Sequence, residues 1–251
     1  MIQGALHLPL NTPRFFVATP LAAGATVDLP APVANHALRV LRLTEDAALT
    51  LFNGGGGEYS ARLRVANRGR ATAIIERHDP VEREARIEAT LLQALVAAEK
   101  LDWIVEKATE LGAARVLLFP AARSVVKLDG ERLARRVAHL REIAVAACCQ
   151  CGRNRMPLIK SASTLDAALD ETRDASTRLL LAPDSASGLR GTGGGSVAIA
   201  VGPEGGFTPG EMQTAQRSGF APARLGRRVL RTETAGPAAL AALLALAGEF
   251  A

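Results

Sequence analysis

Ala198-Ile199-Ala200-Val201-Gly202-Pro203-Glu204-Gly205-Gly206-Phe207-Thr208-Pro209-Gly210-Glu211 reads as a strand, a glycine loop and the start of a helix. Ala198 to Val201 is a short apolar run of the kind that forms a buried strand. It ends in glycines, and a residue without Cβ lets backbone amides approach a ligand. Thr208 suits the helix cap, Pro209 the first helical position, and Glu211 completes a Thr-x-x-Glu capping box. A strand that empties into such a loop places a small molecule at the carboxyl end of a parallel sheet.

A second loop of the same character follows in Leu225-Gly226-Arg227-Arg228-Val229-Leu230-Arg231-Thr232-Glu233-Thr234-Ala235. What is missing narrows the ligand. No Gly-x-Gly-x-x-Gly follows a strand, and Gly-x-x-x-x-Gly-Lys-Ser/Thr is absent, so the usual dinucleotide and triphosphate cradles are unsupported. A carboxylate at Glu204 would repel a phosphate yet tolerate ribose hydroxyls or a cation such as a sulfonium. The plainer alternative is an ordinary strand-to-helix turn that uses glycine for tightness.

Outward from these loops, strand and helix signals alternate. Ala89 to Leu95, Val116 to Phe119, Leu179 to Ala182 and Val197 to Val201 read as strands. Leu101, Ile104, Val105, Ala108 and Leu111 form a helical stripe ended by Gly112; Leu133, Val137, Leu140, Ala144 and Ala147 form a second, and Thr234 to Leu246 a closing helix. This order predicts an α/β domain on a parallel sheet. The first segment is β-like instead, with strand candidates at Arg14 to Ala18, Ala48 to Phe52, Glu58 to Val65 and Ala71 to Glu76, and a small barrel is expected. The charged, proline-containing stretch from Arg77 to Arg86 reads as a linker, so the expected domains are 1–76 and 77–251.

The 251 residues exceed one typical domain, and 48% hydrophobic content is ample for buried cores. The apolar segments are too short to span a bilayer, and Met1 to Thr12 lacks a basic region followed by an apolar run, so a cytoplasmic protein with no membrane partner is expected. Cys148, Cys149 and Cys151 lie too close together to pair with one another, and no second Cys/His cluster offers metal ligands; free thiols and no metal are expected. The net charge of +5 suits a polyanionic partner, and arginine greatly outnumbers lysine. Gly191 to Gly195 has the composition of a flexible loop, to which no function is assigned.

At this point the residues resemble the SPOUT-class, knotted RNA methyltransferases, and within them the RsmE family of 16S ribosomal RNA uridine-N3 methyltransferases. Near the amino end, His36-Ala37-Leu38-Arg39-Val40-Leu41-Arg42 is similar to the family's His-x-x-x-Val-Leu-Arg, and Gly56-Gly57-Glu58-Tyr59 to its Gly-Gly-Glu-Tyr turn. Lys107-Ala108-Thr109-Glu110-Leu111-Gly112 and Arg123-Ser124-Val125-Val126-Lys127 are similar to the family's central motifs. Gly202-Pro203-Glu204-Gly205-Gly206-Phe207 and Leu230-Arg231-Thr232-Glu233-Thr234-Ala235 are highly specific, and the match spans nearly the whole chain.

The resemblance implies a PUA-like β-barrel for RNA binding over 1–76 and a SPOUT α/β-knot domain over 77–251, although general rules disfavour knots. It implies S-adenosylmethionine held by Leu181, Val201, Gly202, Pro203, Glu204, Gly205, Gly206, Leu225, Gly226, Val229, Leu230, Thr234 and Ala235. It also implies a homodimer and a 16S ribosomal RNA substrate within the small ribosomal subunit. Methyl transfer to uracil N3 needs a proton acceptor and cationic donors for the carbonyl oxygens. Arg231 is the expected donor and Glu233 the expected acceptor or relay, with Arg153 as a third catalytic candidate; a salt bridge that only shapes the loop is the alternative for the first two. Arg39, Arg42, Arg123, Lys127 and Arg153 are the expected RNA contacts. Arg132, Arg135, Arg136 and Arg141 read as a solvated face.

Three departures stand out. Cys149-Gln150-Cys151-Gly152-Arg153 replaces the family's usual Glu-Gln-Ser-Gly-Arg. Ala97-Ala98-Glu99-Lys100 replaces Lys-Gly-Asp, leaving Lys100 as a shifted candidate. Gly236-Pro237 follows the last motif, where proline fits a helix's first turn. His36 is expected to be packed or hydrogen-bonded and not catalytic, and Trp103 to lie in the core beside the apolar stripe. Methylation of another ribosomal or transfer RNA nucleotide, an ATP- or NAD-binding enzyme of ordinary doubly wound topology, and a catalytically silent RNA-binding protein remain open.

Overall fold

A computed structural model describes residues 12–66, 69–191 and 194–250. The reading of the amino end as far as residue 11, and of 192 and 193 in the glycine-rich loop, lies outside them. The chain divides into two compact units. The first comprises residues up to Arg83 together with Gly152–Arg155; the second comprises Glu84–Cys151 and residues from Met156 onward.

The first unit is built on β1 (Arg14–Phe16), β2 (Thr26–Asp28), α1 (Ala31–Asn35), a π-helical turn over His36–Val40, β3 (Ala48–Phe52), β4 (Glu58–Val65) and β5 (Ala71–Asp79). Its sheet runs β1-β3-β4-β5-β2, with β1 parallel to β3 and the other pairs antiparallel. Alternation along the strands turns Leu49, Leu51, Ala61, Leu63, Ala73 and Ile75 into a core with Phe15 and Val17.

The expected linker starts later than its charge suggests, because β5 continues through Arg77, His78 and Asp79, paired with Ser60, Tyr59 and Glu58. The cross-strand partners outweigh local polarity there: the Tyr59 and His78 rings lie 4.6 Å apart. Gly57 turns the chain into β4 at φ +67°, and a Cβ on it would stand 2.3 Å from His78 Nε2. The Gly152–Arg155 segment is bound within this unit. Asn154 accepts from Arg14 at 2.7 Å and donates to the Val81 carbonyl at 3.0 Å, while Arg155 pairs with Glu82 at 2.6 Å.

The second unit alternates β6 (Glu88–Ala94), α2 (Ala98–Glu110), β7 (Arg115–Phe119), α3 (Gly130–Cys151), β8 (Leu158–Ser161), α4 (Leu165–Asp170), β9 (Thr177–Leu181), β10 (Ser196–Val201), α5 (Pro209–Arg217), β11 (Ala221–Ala223) and α6 (Thr232–Leu246). The six strands are ordered β11-β9-β10-β6-β7-β8, and every pairing is parallel. Helices cover both faces, which is why β6 and β10 are buried at every position after their first and are mostly apolar. Leu91, Val116, Leu118, Ile199 and Val201 pack under α2, α3 and α6. Leu92, Leu117, Phe119, Leu180, Ala198 and Ala200 face α4 and α5.

Three readings are corrected here. Trp103 is 42% exposed and not core, because the buried positions of α2 are Leu101, Ile104, Val105, Ala108 and Thr109, and Trp103 lies off that stripe. The closing helix starts at Thr232, which places Pro237 inside it and not in its first turn. The α3 arginines are not one solvated face: Arg136 pairs with Asp102 at 2.7 Å and Arg141 donates to the Ile159 carbonyl at 3.0 Å, tying the helix to its neighbours.

Candidate active site

The carboxyl ends of three adjacent strands, β11, β9 and β10, open into one cleft of about 700 Å³. That size falls within the usual range for small-molecule sites. One wall is Gly202–Phe207, the other Arg224–Glu233, and the floor carries Leu181, Ala182, Pro183 and Asp184 after β9. Two loops distant in sequence therefore enclose one space. A shallower hollow of about 470 Å³, around Arg173, Arg178 and Arg217, lies toward the amino ends of the strands and has neither glycine loop.

The first wall is held by local chemistry. Thr208 accepts from the Glu211 amide at 3.2 Å, and the Glu211 carboxylate accepts from the Thr208 amide at 2.8 Å, completing the capping box with Pro209 in the first turn. Glu211 also accepts from the Ala122 amide at 2.7 Å. Burial opposes its ionisation, but these amide donors and the Thr208 hydroxyl outweigh it and hold the carboxyl below its ordinary pKa. Gly202 leaves space that a Cβ would fill, since that atom would lie 3.2 Å from the Phe207 ring and 3.3 Å from the Gly206 backbone. Gly206 adopts φ +67°, the left-handed region that favours glycine. Arg123 reaches across to donate to the Gly205 carbonyl at 2.9 Å.

A charge cluster crosses the cleft. Lys100, at the start of α2, lies 2.7 Å from Glu204 in the first loop and 3.7 Å from Glu233 at the head of α6. The Lys100 hydrogen bond pulls the Glu204 carboxyl below its ordinary pKa and raises that of the lysine. Arg231 projects outward, 85% exposed and 4.0 Å from Glu233, whose own side chain is 19% exposed. Glu233 Oε2 is buried and makes no hydrogen bond among the described residues, its ion-pair partner Lys100 standing 3.7 Å away.

Of the residues expected to hold the cofactor, Leu181, Val201, Gly202, Pro203, Glu204, Gly205, Gly206, Leu225, Gly226, Val229, Leu230 and Ala235 line this cleft, as do Arg231 and Glu233. Thr234 is exposed and outside the lining; Thr232, buried, takes its place. Arg123 lines the cleft and Lys127 does not, though both are exposed. Arg39 and Arg42 are exposed on the first unit, Arg42 in the left-handed region at φ 53°. His36 is exposed and not packed into the core, although its ring meets that of Phe15 edge-on, 5.8 Å away. Arg153 is 3% exposed within the first unit, and its carbonyl accepts from Arg14. Pro183, Asp184, Arg224 and Arg228 were not expected in the cleft; the Ala182-Pro183-Asp184 strand end was the available signal for the first two.

This fold and cleft define an RNA methyltransferase of the α/β class. The family model for the RNA methyltransferase domain matches residues 83–244, and that for the RNA methyltransferase PUA domain matches residues 29–76. The ribosomal RNA small subunit methyltransferase E of Mycobacterium bovis is 30% identical over 91% of this chain and 90% of that protein. The Neisseria gonorrhoeae enzyme of the same name, solved with S-adenosyl methionine, superposes with a TM-score of 0.84 at 36% identity, covering 94% of this chain and 98% of that one. A Legionella pneumophila methyltransferase structure with bound SAM gives 0.86 at 32% identity, with the same coverage of each chain. The chain belongs to the ribosomal RNA small subunit methyltransferase E family.

Proposed function

We propose that the protein transfers the methyl group of S-adenosylmethionine to N3 of a uridine in 16S ribosomal RNA. The observation that carries this reading is the single cleft walled by Gly202–Phe207 and Arg224–Glu233 at the carboxyl edge of a parallel sheet. Its glycines bring backbone amides and carbonyls within reach of an adenine edge, while Leu225, Val229 and Leu230 offer apolar surface to the ring. Glu204 is ionised and paired with Lys100 at 2.7 Å, so the pair carries no net charge that would repel a positively charged donor. When bound, the donor supplies an activated methyl group on a sulfonium.

The protein's own residues do the rest. The uracil imide must lose a proton to become nucleophilic, and its carbonyl oxygens then gain negative charge. Glu233, largely shielded from water and with one oxygen that faces Lys100 at 3.7 Å without a hydrogen bond, is placed to accept or relay that proton. Arg231, with its guanidinium in solvent, is free to meet the uracil oxygens. Arg123, Arg224 and Arg228 line the same cleft and suit the phosphates of an RNA strand. Arg39, Arg42 and Lys127 are assigned to RNA contacts elsewhere on the surface, and the segment 1–76 to RNA binding. Arg153 is buried, which favours a positioning role for it over open contact with phosphate.

A cytoplasmic homodimer acting on the small ribosomal subunit, with the carboxyl-terminal segment threaded as a trefoil knot over 77–251, completes the proposal. Calorimetry with S-adenosylmethionine should give one salt-insensitive site per chain and no heat with ATP. Mass spectrometry of 16S RNA from a strain lacking the protein should show one uridine methyl group missing. Binding of RNA without any cofactor heat would instead favour a silent RNA-binding protein.

A further inference from the structure

β6 is buried at every position after Glu88, and all but two of those residues are apolar. One exception, Gln93, is completely buried. A buried amide is costly unless its polar atoms find partners, and an apolar residue of similar shape is often neutral or better for stability. Gln93 Nε2 donates to the Thr232 hydroxyl and to the Ala94 carbonyl, both at 3.1 Å. Thr232 Oγ1 in turn donates to the Gly202 carbonyl at 2.7 Å. The hydroxyl proton is committed to Gly202, so Oγ1 must accept from Gln93; this fixes the amide nitrogen toward Thr232 and leaves Gln93 Oε1 buried without a hydrogen-bond partner among the described residues.

The chain of bonds has a simple geometry. It runs from the centre of the sheet, through the first residue of α6, to the first residue of the glycine loop. Gly202 and Thr232 line opposite walls of the cleft, whereas Gln93 does not line it at all. We propose that Gln93 is a positioning residue that latches the two cofactor loops together through Thr232 and so sets the width of the donor cleft. The unsatisfied Oε1 supports this, because a residue needed only for packing would not bring an unsatisfied acceptor into a buried strand.

The proposal rests on the cofactor reading above, and the test separates the two. Gln93→Met keeps the length and volume of the side chain but removes both polar atoms. Its thermal midpoint should stay level or rise, while the dissociation constant for S-adenosylmethionine rises about tenfold and kcat at saturating donor changes little. Thr232→Val should weaken donor binding at least as much, and Thr232→Ser, which keeps the hydroxyl, should restore it. Because Gln93 acts through Thr232, adding Gln93→Met to Thr232→Val should cost almost nothing further. Wild-type protein that binds no donor would sink the cofactor reading. Wild-type protein that binds, beside a Gln93→Met variant that binds within twofold of it, would overturn the latch. Additive losses in the double variant would overturn it too, and that comparison holds even where Gln93→Met lowers the thermal midpoint.

Discussion

Arg231 and Gly202 carry different halves of the site, and each has its own test. Arg231 is 85% exposed and loosely paired with Glu233 at 4.0 Å, a separation at which a surface ion pair contributes little. Removing its head therefore leaves the loop intact and takes away only a group available to substrate. Arg231→Ala should lower kcat by one to two orders of magnitude, on the order of 1.4 kcal/mol per tenfold, with donor affinity nearly unchanged. Unchanged turnover would remove Arg231 from the mechanism. Gly202 is the converse case. An added methyl would press on the Gly206 backbone and the Phe207 ring, which is itself stacked on Phe119, so neither neighbour can yield easily. At Gly205 the same methyl meets only the stem of Arg123 at 3.1 Å, a flexible side chain. Titrations of both alanine variants should show Gly202→Ala losing donor affinity by about tenfold or more and Gly205→Ala by much less. Equal losses would mean that crowding of the Phe207 ring is not what matters.

At the level of elements, α5 shows how short-range chemistry makes a site readable. Its cap, its first-turn proline and its Glu211 all lie within four residues; the cap and Glu211 form the bonds their types predict, and the proline takes the position that needs no donor. Thr208→Ala should destabilise the protein by about 1 kcal/mol in denaturant titration, the usual loss for an N-cap, with the slope of the transition unchanged. An unaltered midpoint would show that the backbone amides of residues 208 and 122 hold Glu211 without help from the Thr208 hydroxyl. The same locality explains what is legible in the sequence itself. Both glycine loops, the buried central strands and the stripes of α2 and α3 are written in neighbouring residues. The three strands that escaped notice, β2, β8 and β11, are each at the edge of a sheet. Edge strands are short and half solvated, and β11 carries Pro222, so their apolar signal is weak. α4 has only six residues, too few for a helical period to show. What Lys100 and Gln93 do was illegible for a different reason, although Lys100 itself stood out as a shifted candidate. Their meaning depends on Glu204, Glu233 and Thr232, which lie more than a hundred residues away in sequence.

On the scale of the whole molecule, acid sensitivity follows from carboxylates in each unit. In the first, Glu58 sits between Arg14 and Arg83, the latter at 2.8 Å, and its side chain is 15% exposed. Burial alone would raise its pKa, but hydrogen bonds from Arg83 and Arg14 and the charges of both guanidiniums carry it below the ordinary 4.5. In the second, Glu211 is shifted the same way by amide donors. A carboxyl whose pKa is lower folded than unfolded binds more protons when unfolded, so its stabilisation is full above the unfolded value and is lost as pH falls through the folded one. Thermal midpoints should therefore be level near neutrality with respect to these two groups and decline progressively below about pH 4.5. Glu58→Gln separates the contributions. It leaves two guanidiniums facing each other without a counter-charge, so the variant should lose about 3 kcal/mol at pH 7, the usual penalty for breaking a largely buried pair. Once acid has protonated Glu58 in the native protein, both proteins hold a neutral side chain there, and their midpoints should converge. A gap that stays constant from pH 7 to pH 3 would show that the charge of Glu58 contributes nothing, and that the two arginines are held by packing and by the carbonyl of Gly152.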